Sequence, residues 1–229
     1  MNKDIWKNLL KFLIVFIIYI FYGKLFGLIL SLIGIGGLLA SFIMDLLFFI
    51  GIIWFYRKNL KEDFREYKKY TWKKILKIIL GNFGLILLVF MIMGMLTEIF
   101  VPEAANIATE NNQMITSLFN ASLLYTLFKT LIFATIAEEL VFREAISEAV
   151  TNKKVLVIIS SSIYALMNII YVDLSHQFIW MDFLQYFLFY MILSLSYVKH
   201  NNNIFVPISI KFLYNLFQII LLIVVSVAK

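Results

Sequence analysis

The chain has 229 residues, 62% of them apolar, and a mean hydropathy of +0.92, where a soluble domain runs near about 45–50% apolar. That excludes an ordinary soluble domain, and the absence of cysteine excludes disulfide and thiolate chemistry. The net charge is +6, but with the basic residues expected in short loops it reads as an orientation signal at an anionic membrane face, not a nucleic-acid footprint.

Apolar runs of about 18 residues recur along the chain, and none alternates as a membrane β-strand would. The expected fold is therefore all-α: a polytopic membrane bundle of about seven spans. The first runs from Leu9 to Tyr22. It follows Lys3, Lys7 and Lys11 and lacks a small-residue cleavage site, so it is taken as retained. Leu25 to Ile35 is apolar and glycine-rich, and either extends that helix or forms a re-entrant piece. A second span covers Leu38 to Tyr56. Residues 57–74 carry eight basic and three acidic side chains, and their Lys, Tyr and Trp content suits an amphipathic helix on the membrane surface. The third span is Ile75 to Leu96, followed by a polar stretch, Thr97 to Asn120, without Lys or Arg. The chain divides at this level into 1–74, the N-terminal spans with their basic linker, and 75–229, a membrane core.

The fourth span, Leu123 to Ala137, ends on Glu138-Glu139 and continues as a helix to about Val150. The fifth is Val155 to Tyr171, the sixth Phe183 to Val198 and the seventh Ile204 to Val227. Basic segments at the N-terminus, 57–74, 143–154 and 199 alternate with basic-free loops at 97–120 and 173–182. This expects a multi-pass cell-membrane protein with a cytoplasmic N-terminus.

A carboxylate at membrane depth costs about 2.5–3.5 kcal/mol on insertion scales, so Glu138 and Glu139 call for a reason. Glu139 and Arg143, four apart on a helix, can form an ion pair, which leaves Glu138 free as a general base. The plainer alternative puts both acids at the interface, reaching water. Asn168 in the fifth span, and Lys211 with Asn215 one turn on in the seventh, give two more helices a polar group. Such groups usually face each other in a bundle. For Asn168 the plain alternative is a helix–helix hydrogen bond; for Ser160 to Ser162 it is small-residue packing, the preferred reading. Lys211 has a third option, reaching back to the cytoplasmic face.

Glu138-Glu139-x-x-x-Arg143, Tyr164-x-x-x-Asn168 and Lys211-x-x-x-Asn215 together resemble the three-motif pattern of the CPBP family. This is the CAAX-protease and bacteriocin-processing group, also called Abi-domain proteins. The resemblance covers about residues 120 to 228. It implies an intramembrane glutamate peptidase core with Glu138 as the water-activating carboxylate. Glu139 and Arg143 would be its supporting pair, and Asn215 the amide near the oxyanion. The family pattern has histidines where this chain has Asn168 and Lys211. An amide accepts no proton and binds metal poorly, and Lys211 is the natural counter-ion of Glu138. His176 and His200 fall in loops. The expectation is thus a catalytically degenerate scaffold, leaning away from enzyme activity, with no cofactor and no metal. It would act on a membrane-protein or peptide partner, in regulation or bacteriocin immunity, with no nucleic-acid partner. An active CAAX-type endopeptidase using Glu138, and a small transporter or lipid-binding protein, are the alternatives. The Ile, Leu, Lys, Asn and Phe bias suggests a bacterial genome.

Overall fold

The computed structural model describes residues 3–100, 110–169 and 179–227. Among these the chain is helical apart from short turns, with no strand. Helix α1 (Lys3–Leu32) is continuous through Gly23-Lys24, so residues 25–32 extend the first helix and form no re-entrant piece. It stops where Gly34 takes a left-handed φ of 77°. There the amide of Ile35 reaches back to Leu30 O at 2.9 Å, and that of Gly34 to Ser31 O at 3.1 Å. This pair of bonds closes the last helical carbonyls around a glycine that pays no Cβ penalty.

Helix α2 (Gly37–Phe55) follows, then α3 (Arg57–Tyr67), the amphipathic helix expected near 57–74. Only 57–67 is helical there, because α4 (Trp72–Phe100) already starts at Trp72. On α3 the basic residues Arg57, Lys58, Lys61 and Arg65 are exposed, while Asn59, Leu60, Asp63 and Tyr67 turn toward the bundle. Asn59 Nδ2 donates to Glu144 Oε1 at 2.6 Å, and Tyr67 and Ser209 share a hydroxyl contact at 2.9 Å. Asp63 accepts the amide of Ile204 at 2.8 Å, placing a carboxylate at the positive end of the last helix. Burial pushes the Asp63 carboxyl above its usual range, and the Ile204 amide pulls the other way.

The stretch 97–120, expected as a polar connection, is helical at both ends: α4 runs to Phe100, and α5 spans Glu110–Ala121. Helix α6 (123–149) begins at Ser122, whose hydroxyl accepts the amide of Tyr125. It is not a uniform α-helix: π-helical segments at Phe128–Ala134 and Leu140–Glu144 interrupt it on either side of Thr135–Glu139. Helices α7 (Lys153–Ile169), α8 (Ile179–Lys199) and α9 (Phe205–Val227) complete the bundle. Asn201 and Asn202 turn the chain between the last two, both with φ of 58°, a conformation asparagine tolerates. His200 sits in that turn, its Nδ1 2.8 Å from Ser196 O. His176 lies outside the described residues.

Among the described residues, five helices are long and apolar enough to cross a membrane: α1, α2, α4, α8 and α9. Of the other two expected spans, α6 is interrupted and carries charges, and α7 is described for 17 residues. Large apolar side chains point outward on the long helices, for example Leu28, Leu85, Met91 and Val224. Glu139, Arg143, Lys211 and Asn215 point in. That arrangement suits hydrocarbon as the solvent, since lipid satisfies no polar group. Phe12, Val15, Phe48 and Ile52 of the first two helices share one core with Phe142, Tyr164, Tyr190 and Ile210. Between α7 and α8, Ser160 and Ser194 meet hydroxyl to hydroxyl at 2.8 Å, with Ser161 at 3.3 Å. Small side chains there let two helices approach closely, as expected for the serine run.

Candidate functional site

Glu138 and Glu139 sit in the α-helical segment between the two π-helical ones. Glu139 and Arg143 are both fully buried, and Arg143 Nη1 donates to Glu139 Oε1 at 2.7 Å, the intrahelical pair that four-residue spacing predicts. The Arg143 guanidinium also donates to Tyr190 O at 3.4 Å. Lys211 is 3% exposed; it does not reach back to a membrane face. Its ammonium lies 2.8 Å from Glu138 Oε2 and 3.3 Å from Glu139 Oε1, and donates to the Tyr164 hydroxyl. The other oxygen of Glu138, Oε1, accepts from Tyr19 OH at 3.4 Å. Two carboxylates, one guanidinium and one ammonium thus close to zero net charge inside the bundle. That closure is what makes four buried charges tolerable.

Aromatic rings form the floor. Tyr164 and Tyr190 stack with centroids 3.5 Å apart, and Phe142 lies 4.2 Å from Tyr164. The Lys211 ammonium is 4.6 Å from the Tyr164 ring centroid and the Arg143 guanidinium 5.0 Å, so both cations rest on π faces as well as on carboxylates. A cavity of about 650 Å³ opens beside this cluster and is bordered by Glu138, Lys211, Asn168 and Asn215. Among the described residues, no three His, Cys, Asp or Glu side chains group so as to hold a metal.

The two amides do not touch Glu138. Asn168 Nδ2 donates to Tyr164 O at 2.8 Å and across to Tyr190 OH on α8 at 3.1 Å, the helix–helix bond of the plain reading. Asn215 Nδ2 donates to Thr130 O at 2.9 Å and Thr135 Oγ1 at 3.0 Å. It covers the widened first π-helical segment of α6 and so is engaged with the scaffold. The single pocket expected for acid, amide and amine therefore holds all three along its wall, but only the amine pairs with the acid.

Sequence reasoning passed over a second charge cluster. Lys129 lies inside the run treated as apolar, and Asp45 inside the second span. The two meet at 2.8 Å, with Asp45 3% exposed. Tyr22 and Tyr125 donate to Asp45 Oδ1 and Oδ2 at 2.6 and 2.7 Å. The criterion that singled out Lys211, one charge alone in an apolar run, applies equally to Lys129 and Asp45. Tyr19 and Tyr190 carried no such signal, since tyrosine is ordinary in a membrane helix. At the opposite end of the bundle, Lys11 pairs with Glu148, and Tyr197 OH donates to Glu144 Oε2 at 2.9 Å.

Fold and site together define a helical membrane protein with a charged, tyrosine-floored centre enclosed by its helices. A family model described as Rce1-like, type II CAAX prenyl endopeptidase, matches residues 120–217. That segment runs from the end of α5 into α9 and supplies Glu138, Glu139, Arg143, Asn168, Lys211 and Asn215. The part of the chain that builds the site is thus similar to the Rce1-like CAAX-protease family, in keeping with the CPBP resemblance of its motifs. No curated protein and no solved structure matches the chain.

Proposed function

We propose that this membrane protein is a catalytically silent member of its family that works by binding a membrane-embedded partner. The observation that carries the reading is the contact of Lys211 Nζ with Glu138 Oε2 at 2.8 Å. A general base needs a lone pair within reach of the water it activates. Here one oxygen of Glu138 is taken by the ammonium and the other faces Tyr19 OH. The position that holds the first histidine of the family pattern carries Asn168, whose amide cannot take up a proton. The second carries Lys211 itself. In this reading the old catalytic centre has become a structural lock, and Glu138, Glu139, Arg143, Asn168, Lys211 and Asn215 hold the bundle in shape. The partner is another membrane or cell-envelope protein, met from a chain whose N-terminus faces the cytoplasm; regulation and bacteriocin immunity are the roles such a binder would fill.

The active-peptidase reading draws on Glu138 still bordering the cavity. Purified protein, Glu138→Ala, and the double variant Asn168→His with Lys211→His should be assayed on prenylated and leader-bearing peptides. The native chain is expected not to cleave. Cleavage by the native chain that vanishes in Glu138→Ala would overturn the silent reading. Crosslinking in native membranes is expected to capture a membrane protein; a chain that elutes alone and crosslinks to nothing refutes the binding role.

A further inference from the structure

Away from the cavity, whose wall on α6 runs from Glu138 to Lys129, helix α3 carries cations that the fold does not use. The helix is fastened along one face. Asn59 meets Glu144 at 2.6 Å, Asp63 takes the Ile204 amide at 2.8 Å, and Tyr67 meets Ser209 at 2.9 Å. On a helix advancing about 100° per residue, these three and Leu60 fill an arc of about 100°, and Lys58, Lys61 and Arg65 fill one of about 60° centred directly opposite. All three cations are exposed, and none has an ion pair or hydrogen bond among the described residues. Arg57, by contrast, donates to Trp54 O at 2.7 Å and lies over the Trp54 ring. Of the nearby acids, Asp63 faces inward and Glu66 holds Lys69. Glu62, at the edge of the stripe, pairs with none of the three.

Like charges three and four residues apart weaken a helix, and nothing within the chain offsets that cost. A helix that lies in the headgroup layer needs a broad apolar face against the acyl chains. On α3 the one large apolar side chain left exposed is Phe64, and its ring already packs on Phe205, with centroids 5.2 Å apart. The helix is thus held by protein. Its anchors lie in the closing turns of α6 and the opening turns of α9, at one end of the bundle. The stripe, on the opposite face of α3, points away from that end and toward water.

We propose that Lys58, Lys61 and Arg65 are the docking stripe for an acidic segment of the protein partner, a helix with carboxylates three and four residues apart. Equal spacing on the two helices sets each cation opposite one carboxylate over about 10 Å. This rests on the binding role proposed above and adds the partner's chemistry to it.

The test uses the full chain in native membranes, with the photoreactive residue p-benzoylphenylalanine in place of Glu62 beside the stripe, and identifies what it crosslinks by mass. The adduct is expected to be a protein segment with three carboxylates within about eight residues, the length from Lys58 to Arg65. Adding Lys58→Gln, Lys61→Gln and Arg65→Gln is expected to cut its yield about tenfold, the combined effect of three exposed ion pairs. These side chains hold nothing in the fold, and circular dichroism checks that the variant stays helical. Lys153→Gln with Lys154→Gln, both exposed elsewhere, is expected to leave the yield unchanged. A phospholipid adduct, a protein segment without that acidic pattern, an undiminished yield in the triple variant, or an equal loss in the Lys153/Lys154 control each overturns the stripe. A partner captured by a general amine crosslinker but absent at position 62 overturns the stripe and leaves the binding role standing; no partner by either route refutes both.

Discussion

Removing the ammonium should cost more than removing the acid it pairs with, and removing both should cost less than the sum. Lys211→Met leaves Glu138 and Glu139 facing Arg143 alone, one uncompensated negative charge among buried groups. Breaking a buried pair from one side costs about 3–5 kcal/mol, and two carboxylates sharing one cation place this variant near about 4. Glu138→Ala is milder. The ammonium keeps Glu139 Oε1 at 3.3 Å and the Tyr164 hydroxyl, and the Glu138 side chain is 17% exposed, toward the cavity; about 3 kcal/mol, the low end, is expected. Glu138→Ala with Lys211→Met returns the cluster to Glu139 and Arg143, again neutral. It should lose about 4–5 kcal/mol instead of about 7, a coupling of about 2–3 kcal/mol. The measurement is equilibrium unfolding of the four proteins in mixed micelles of rising dodecyl sulfate fraction, followed by circular dichroism. Additivity within about 0.5 kcal/mol, or a Lys211→Met variant as stable as the native chain, refutes the lock.

Two further substitutions probe the scaffold. Asp45→Asn strands the Lys129 ammonium while keeping the shape for Tyr22 and Tyr125; it should destabilise by about 3 kcal/mol in the same unfolding assay, with Asp45→Asn plus Lys129→Gln partly recovering it. Ser194→Leu forces a branched side chain between α7 and α8 where Ser160 and Ser161 pack. A loss of about 1–3 kcal/mol is expected from overpacking, whereas Ser194→Ala should sit much nearer native.

The long helices were legible because hydropathy alone sets them: α2, α4, α8 and α9 fall within a few residues of the expected spans. The Glu139–Arg143 pair was legible because it is local, a matter of four-residue spacing on one helix. Lys211 opposite Glu138 was legible from the cost of leaving either charge alone in lipid. The same cost should have pointed to Asp45 and Lys129, but the two stand 84 positions apart and each passes as one blemish in a long apolar run. Where the amides point was not legible. An asparagine in a membrane helix announces that it will find a partner, and whether that partner is a catalytic acid or a neighbouring tyrosine depends on helix rotation, which hydropathy does not encode. Asn168 found Tyr190, and Asn215 found the carbonyl of Thr130.

Rotation is also set within α6, by its widened turns. In an unbroken α-helix each residue advances about 100°, so Lys129 and Glu138, nine positions apart, would stand about 180° from one another and could not border the same space. A π-helical bulge amounts to one residue slipped into the winding, which brings the angle down to about 80°. The chain has in effect been re-phased midway through the membrane, and this screw-like offset lets a single helix contribute a cation at one end of the chamber and an acid at the other.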